Sequence, residues 1–197
     1  HWQDTPTPAG VFDAKADAYA VLASIGAPVD NLQISADAPA WYHPGRSGTL
    51  RLGKTVLAWF GEIHPKILRR LGDRGPAAGF EIFLDHVPQP KQRGGKARPP
   101  LKASSFQPVH RDFAFVVEAT VSADQILRAA RTVDRNLITD AGVFDVYEGE
   151  SLGADKKSVA IWLTLQPTEQ TLTDEEIDAV AAKVIANVEK QTGGTLR

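Results

Sequence analysis

Apolar and polar residues alternate with a period of two through Phe113, Phe115 and Val117, which predicts a strand over residues 112–118 with one buried face. Ser122 and Gln125 have the spacing of a capping box and open a helix through Asp134, with Ile126, Leu127, Ala130 and Val133 turned inward. A second strand is predicted over 141–147. A third, over 157–165, carries the clean alternation Val159, Ile161, Leu163, Leu165. Thr173 and Glu176 form another capping box, and Ile177, Val180, Ala181, Val184 and Val188 follow as a stripe at helical spacing. Gly193 and Gly194 break that helix and leave Thr195, Leu196 and Arg197 for a short last strand. The order β-α-β-β-α-β is the split βαβ, or ferredoxin-like, arrangement. Its helices cover one sheet face and leave the other open. With Phe144 and Val146 assigned to the core, Asp145 and Tyr147 face the open side, together with Ser158, Ala160 and Trp162.

The earlier part of the chain is patterned less sharply. Asp13 is predicted to cap a helix over 14–25 whose broad apolar face holds Ala16, Tyr19, Leu22, Ala23 and Ile25, ended by Gly26 and Pro28. Residues 49–52 and 56–63 flank Gly53 and Lys54 and predict an antiparallel hairpin of open turn type. Pro65 suits the first position of a short helix through Leu71, and residues 80–84 read as one more strand. The fold class is α+β, with antiparallel sheets in both parts.

Charge divides the two parts. From His86 to Arg111 no acidic residue occurs, while Lys91, Arg93, Lys96, Arg98, Lys102 and Arg111 are basic and the stretch holds Pro88, Pro90, Gly94, Gly95, Pro99 and Pro100 as well. Such density of breakers opposes helix and ladder alike, so the chain is expected to comprise a first domain over 1–88, a basic linker over 89–103 and a second domain over 104–197. The formal net charge is −2, which leaves any nucleic-acid surface local rather than global. The absence of cysteine excludes disulfides and thiolate metal sites and agrees with a cytoplasmic location, and no apolar run is long enough to span a bilayer. The absence of methionine leads us to expect that His1 is internal to a longer parent.

Other chemistry finds little footing. Gly45, Arg46, Ser47 and Gly48 suggest a glycine-rich phosphate loop, but a strand rather than a helix is predicted to follow, so a structural turn is expected. His43, His64, His86 and His110 lack metal-ligand spacing, Trp41, Trp59 and Trp162 read as packing residues, and no Ser/His/Asp arrangement stands out. A ferredoxin-like regulatory domain binding a small molecule, or a dimerisation module, is the alternative reading.

Several ordered runs resemble a known family. Residues 111–117 (RDFAFVV), 144–149 (FDVYEG), Lys156-Lys157-Ser158, 171–176 (TLTDEE) and Leu196-Arg197 are similar to the ferredoxin-fold anticodon-binding domain at the C-terminus of the bacterial phenylalanyl-tRNA synthetase β subunit. Residues 12–15 (FDAK), 43–47 (HPGRS) and 61–65 (GEIHP) resemble the end of that subunit's catalytic-like domain, a class II synthetase core without chemistry. The resemblance implies a subunit of an α2β2 phenylalanine–tRNA ligase that uses ATP and magnesium, with its active site in the α subunit and neither cofactor nor metal bound by this chain. The partners it implies are tRNA(Phe) and the α subunit. By position it implies anticodon contacts at Asp145, Tyr147 and Ser158, whose chemistry suits a guanine. The carboxylate accepts from the N1 and N2 donors, the phenol ring stacks, and the hydroxyl adds a hydrogen bond. Arg111, Lys156 and Lys157 are expected to supply a basic rim around Tyr147.

Overall fold

A computed structural model describes residues 8–89, 103–153 and 155–197. The chain forms two compact units, His1–Ala97 and Arg98–Arg197. The expected linker over 89–103 lies almost wholly outside the described residues.

In the first unit, α1 (Val11–Ser24) is opened by the Gly10 amide, which donates to Asp13 Oδ2 at 2.8 Å. Asp13 is therefore the third helical residue, not the cap. Its carboxylate still meets an unsatisfied amide at the positive end of the helix. The helix closes as a Schellman motif. Gly26, with φ 84°, donates to Ala23 O, and Ala27 donates to Leu22 O. The buried face is Ala14, Ala18 and Leu22, while Ala16, Ala23 and Ile25 face solvent, against expectation. In an alanine-rich helix the small residues fit either face, so composition alone does not place the stripe. Two alanines one turn apart let α1 approach the sheet closely.

That sheet has the antiparallel order β1-β2-β3-β4, formed by β1 (Gln33–Ser35), β2 (Tyr42–Leu52), β3 (Thr55–Ile63) and β4 (Ala78–Ile82). The turn of the β2–β3 hairpin carries positive φ only at Gly53, the sign pattern of a type II′ turn. Arg46 lies inside β2, in an irregular stretch between the Tyr42 and Ser47 pairings, rather than in the expected turn. After β3, α2 (Pro65–Arg70) starts with proline at its first position and the His64 ring accepting from the Lys66 amide at 3.1 Å. Leu22, Leu50, Leu57, Ala58 and Phe60 form the core. Trp41 Nε1 and Tyr42 Oη both donate to Glu81 Oε1, at 2.9 and 3.0 Å. Burial, helped by the Glu81 carboxylate, raises the Tyr42 phenol far above its ordinary range and keeps it a donor.

The second unit runs β5 (Val109–Glu118), α3 (Ala123–Arg131), β6 (Ile138–Tyr147), β7 (Lys156–Leu165), α4 (Asp174–Thr192), β8 (Thr195–Leu196). Both expected capping boxes are present, Ser122 with Gln125 and Thr173 with Glu176, and Gly193 ends α4 at φ 68°. The antiparallel sheet order β6-β7-β5-β8 is ferredoxin-like. One face meets α3 and α4 through Phe115, Ile126, Ile161, Leu163, Val184 and Val188. Each such burial contributes roughly 1.5–3 kcal/mol. Asn187 Nδ2 reaches Ala129 O at 2.6 Å and ties the helices together.

Candidate nucleic-acid interface

Strand register decides what the uncovered face presents. Val143 lies opposite Ile161, Asp145 opposite Ala160, Val146 opposite Val159 and Tyr147 opposite Ser158. Phe144 has no partner, because a bulge inserts it between the Val143 and Asp145 pairings. Cross-strand partners share a face, and Ile161 and Val159 belong to the core. Asp145 and Tyr147 therefore share the open face with Ala160 and Ser158, as the alternation predicts.

Phe144 and Val146 do not join the core. Phe144 is 57% exposed, and Val146, although paired with Val159, is half exposed at the end of edge strand β6. A strict alternation cannot foresee a bulge, which adds one residue and resets the parity.

The Asp145 carboxylate is exposed and has no hydrogen-bond or ionic partner among the described residues. Beside it, the Tyr147 ring is held from two sides. It folds over Gly149, where a β-carbon would stand 2.5 Å from Tyr147 Cζ. From the opposite edge of the sheet, the Arg197 guanidinium lies 5.7 Å from the ring centroid. β6 and β8 are three strand spacings apart, about 14 Å. The two long side chains therefore meet across β7 and β5. On that face the residues between the two edges are Ala160 and Ala114 in the row of Asp145, and Ser158 and Val116 in the row of Tyr147. Arg197 is anchored by its amide to Ala114 O at 2.8 Å. Ser158 lies opposite Tyr147 and is only 4% exposed.

Further along the face, Gly142 lies opposite Trp162 and leaves room for its ring, since a β-carbon there would stand 2.6 Å from Cζ2. The open side therefore offers an acceptor between two aromatic surfaces, an arrangement suited to unstacked bases.

The basic rim differs from expectation. Lys156 is exposed and lies opposite Glu118 at the Tyr147 end of the sheet. Lys157 lies opposite core residue Val117, and its Nζ donates to Ala119 O at 2.8 Å. Arg111 lies opposite core residue Leu163 and pairs with Asp178 of α4 at 3.9 Å. Neither is brought to Tyr147, because each occupies the parity that points to the helices. Arg197 takes that place instead. Its position at the end of the last strand gave no periodic signal, and only the sheet order brings it across.

No group of three or more metal-ligating side chains occurs among the described residues, and no helix there is long and apolar enough to cross a membrane. His43 and His64 each accept a backbone amide on Nδ1 at 3.1 Å, which uses one lone pair of each ring.

Residues 104–197 match the family described as ferredoxin-fold anticodon binding domain, and residues 1–84 match the phenylalanyl tRNA synthetase beta chain CLM domain. The whole chain is 58% identical to a phenylalanine–tRNA ligase beta subunit of Mesorhizobium japonicum and 57% identical to that of Rhodospirillum rubrum. Paramagnetospirillum magneticum has a further relative of the same description at 55% identity. In all three the match takes in 100% of this chain and 25% of the relative, so the chain spans about a quarter of the length of these proteins.

Proposed function

We propose, because this chain belongs to the family of phenylalanine–tRNA ligase β subunits, that its second unit reads the anticodon of tRNA(Phe) on the open face of the β6–β7 pair. The observation that carries the reading is the unpartnered, exposed Asp145 carboxylate beside the Tyr147 ring on a sheet face that no helix covers.

Asp145 accepts from the N1 and N2 donors of guanine at the first anticodon position. Adenine and the pyrimidines do not present that pair of donors. Tyr147 supplies the stacking surface, and Ser158 adds a hydrogen bond once the Tyr147–Arg197 bridge swings aside. Lys156 and the displaced Arg197 meet the neighbouring phosphates. The domain over 1–88, an α+β body with an antiparallel sheet, serves as a class II synthetase-like partner of the catalytic α subunit within an α2β2 assembly. ATP, magnesium and the ligation chemistry belong to that α subunit in the cytoplasm, and this chain contributes recognition.

The test is binding of the reconstituted tetramer to tRNA(Phe) and to a variant with adenine at the first anticodon position, at fixed salt. Asp145→Ala should cost roughly 1–3 kcal/mol with the cognate tRNA and erase most of the guanine preference. Tyr147→Ala should cost a similar amount, about 1–3 kcal/mol, with the preference largely kept. A folded Asp145→Ala enzyme that retains full guanine preference would sink the assignment.

A further inference from the structure

In the first unit, a cavity of about 490 Å³ opens between α2 and the β2–β3 pair, with Arg46, Arg69 and Arg74 in its wall and Leu68 and Pro76 among its apolar lining. Glu62 holds the Nε edge of Arg46 at 2.6 Å. That contact fixes the plane of the guanidinium and leaves its terminal nitrogens without another hydrogen bond among the described residues. Arg69 and Arg74 are exposed and have no side-chain partner there. Asp73 also lines the cavity; its Oδ1 accepts the Gly75 amide at 3.0 Å, and its carboxylate offsets one of the positive charges. Lys66 and Arg70, one helical turn apart on α2 and likewise unpaired, continue the positive charge outside the cavity.

Among the described residues Arg69 and Arg74 have no side-chain partner, and with Glu62 and Asp73 offsetting part of the charge the three arginines still leave the cavity wall net positive. Guanidinium forks bind the oxygens of phosphate two at a time, and apolar lining strengthens such contacts by lowering the local dielectric. We propose that this cavity is a second anion site, which takes a backbone phosphate of the transfer RNA. Lys66 and Arg70 are placed for the phosphates next along the strand. An acidic side chain of a protein partner would satisfy the cavity but would leave the adjoining cations on α2 unmet. A repeating polyanion answers both. The proposal rests on the tRNA-binding reading above but uses residues that play no part in the reading of the anticodon base.

The experiment compares the wild-type tetramer with one carrying Arg69→Ala and Arg74→Ala, measuring tRNA(Phe) affinity across a salt series. Arg46 is left in place so that Glu62 keeps its partner. Loss of a phosphate contact should lower the slope of log affinity against log salt by about 0.9 for each contact removed. It should weaken binding of the cognate tRNA and of the anticodon variant by the same factor. Lysine at both positions should restore most of the slope, because the charge returns without the fork. An unchanged slope and affinity in a properly assembled tetramer overturns the proposal. So does a variant whose assembly with the α subunit weakens while tRNA binding per assembled enzyme stays the same, since that outcome assigns the cavity to an acidic protein surface. Asp145→Ala changes base preference and leaves the salt slope almost untouched, so failure of the anticodon reading and failure of this one give different data.

Discussion

Phe115 and Phe144 are the same side chain in opposite settings. Phe115 is fully buried in the sheet–helix core, whereas Phe144 stands 57% exposed as the extra residue of the β6 bulge. Truncating Phe115 to alanine should cost about 3–5 kcal/mol, because it removes apolar contact and leaves a cavity. Phe144→Ala should change stability by less than about 1 kcal/mol, since its ring is already largely in water. Denaturant melts of the two variants check this directly, and a loss at Phe144 equal to that at Phe115 would mean the bulge residue packs after all. The same contrast explains why periodicity placed Phe113, Phe115 and Val117 correctly and Phe144 wrongly. The first three lie on a strand whose pairing with β7 is unbroken from Val109 to Glu118. Parity is an argument from counting, and it survives only where no residue is inserted.

At the scale of elements, caps and breakers were the most legible features. Ser122, Thr173, Gly193 and Pro65 act through local hydrogen bonding and backbone geometry, which a few neighbouring residues determine. The buried face of α1 and the meeting of Arg197 with Tyr147 depend instead on which elements become neighbours, so no window of sequence contains them. Asp145 and Tyr147 were legible as a pair because two residues apart on one strand share a face across any regular pairing. Arg111 and Lys157 carry the charge a rim would need, but their parity, opposite core residues Leu163 and Val117, turns them toward the helices. The β6 terminus makes its own prediction. Gly149 has an ordinary negative φ, so alanine there strains no backbone, but its β-carbon would displace the Tyr147 ring from its seat. Gly149→Ala should leave the melting transition within about 1 kcal/mol of wild type. It should nonetheless weaken tRNA binding in the manner of Tyr147→Ala, with the guanine preference kept. Wild-type affinity in this variant would show that the ring is not held in place by Gly149.

The whole chain divides into two compact units whose boundary falls between Ala97 and Arg98, inside the stretch where acidic residues are absent and prolines and glycines accumulate. Each unit has its own core, assembled from its own helices and strands. Severing the connection should therefore leave the second unit folded. Trypsin has cleavable bonds after Lys91, Arg93, Lys96 and Lys102, whereas the bond after Arg98 is protected by the proline that follows. Brief digestion of the 197-residue chain should cut in this stretch before it cuts after the arginines of α3 or the lysines of α4, whose backbone amides are held in helices. A product of about 95 residues ending at Arg197 should accumulate and melt cooperatively by itself. Its mass distinguishes cleavage after Lys102 from cleavage after Lys91. Resistance at all four bonds under conditions that degrade the helices would show the segment docked against one of the units, and the two would then have to be treated as one body. If the released piece fails to melt cooperatively, the core formed by Phe115, Ile126, Ile161 and Val184 is insufficient alone, and the ferredoxin-like unit depends on the domain that precedes it.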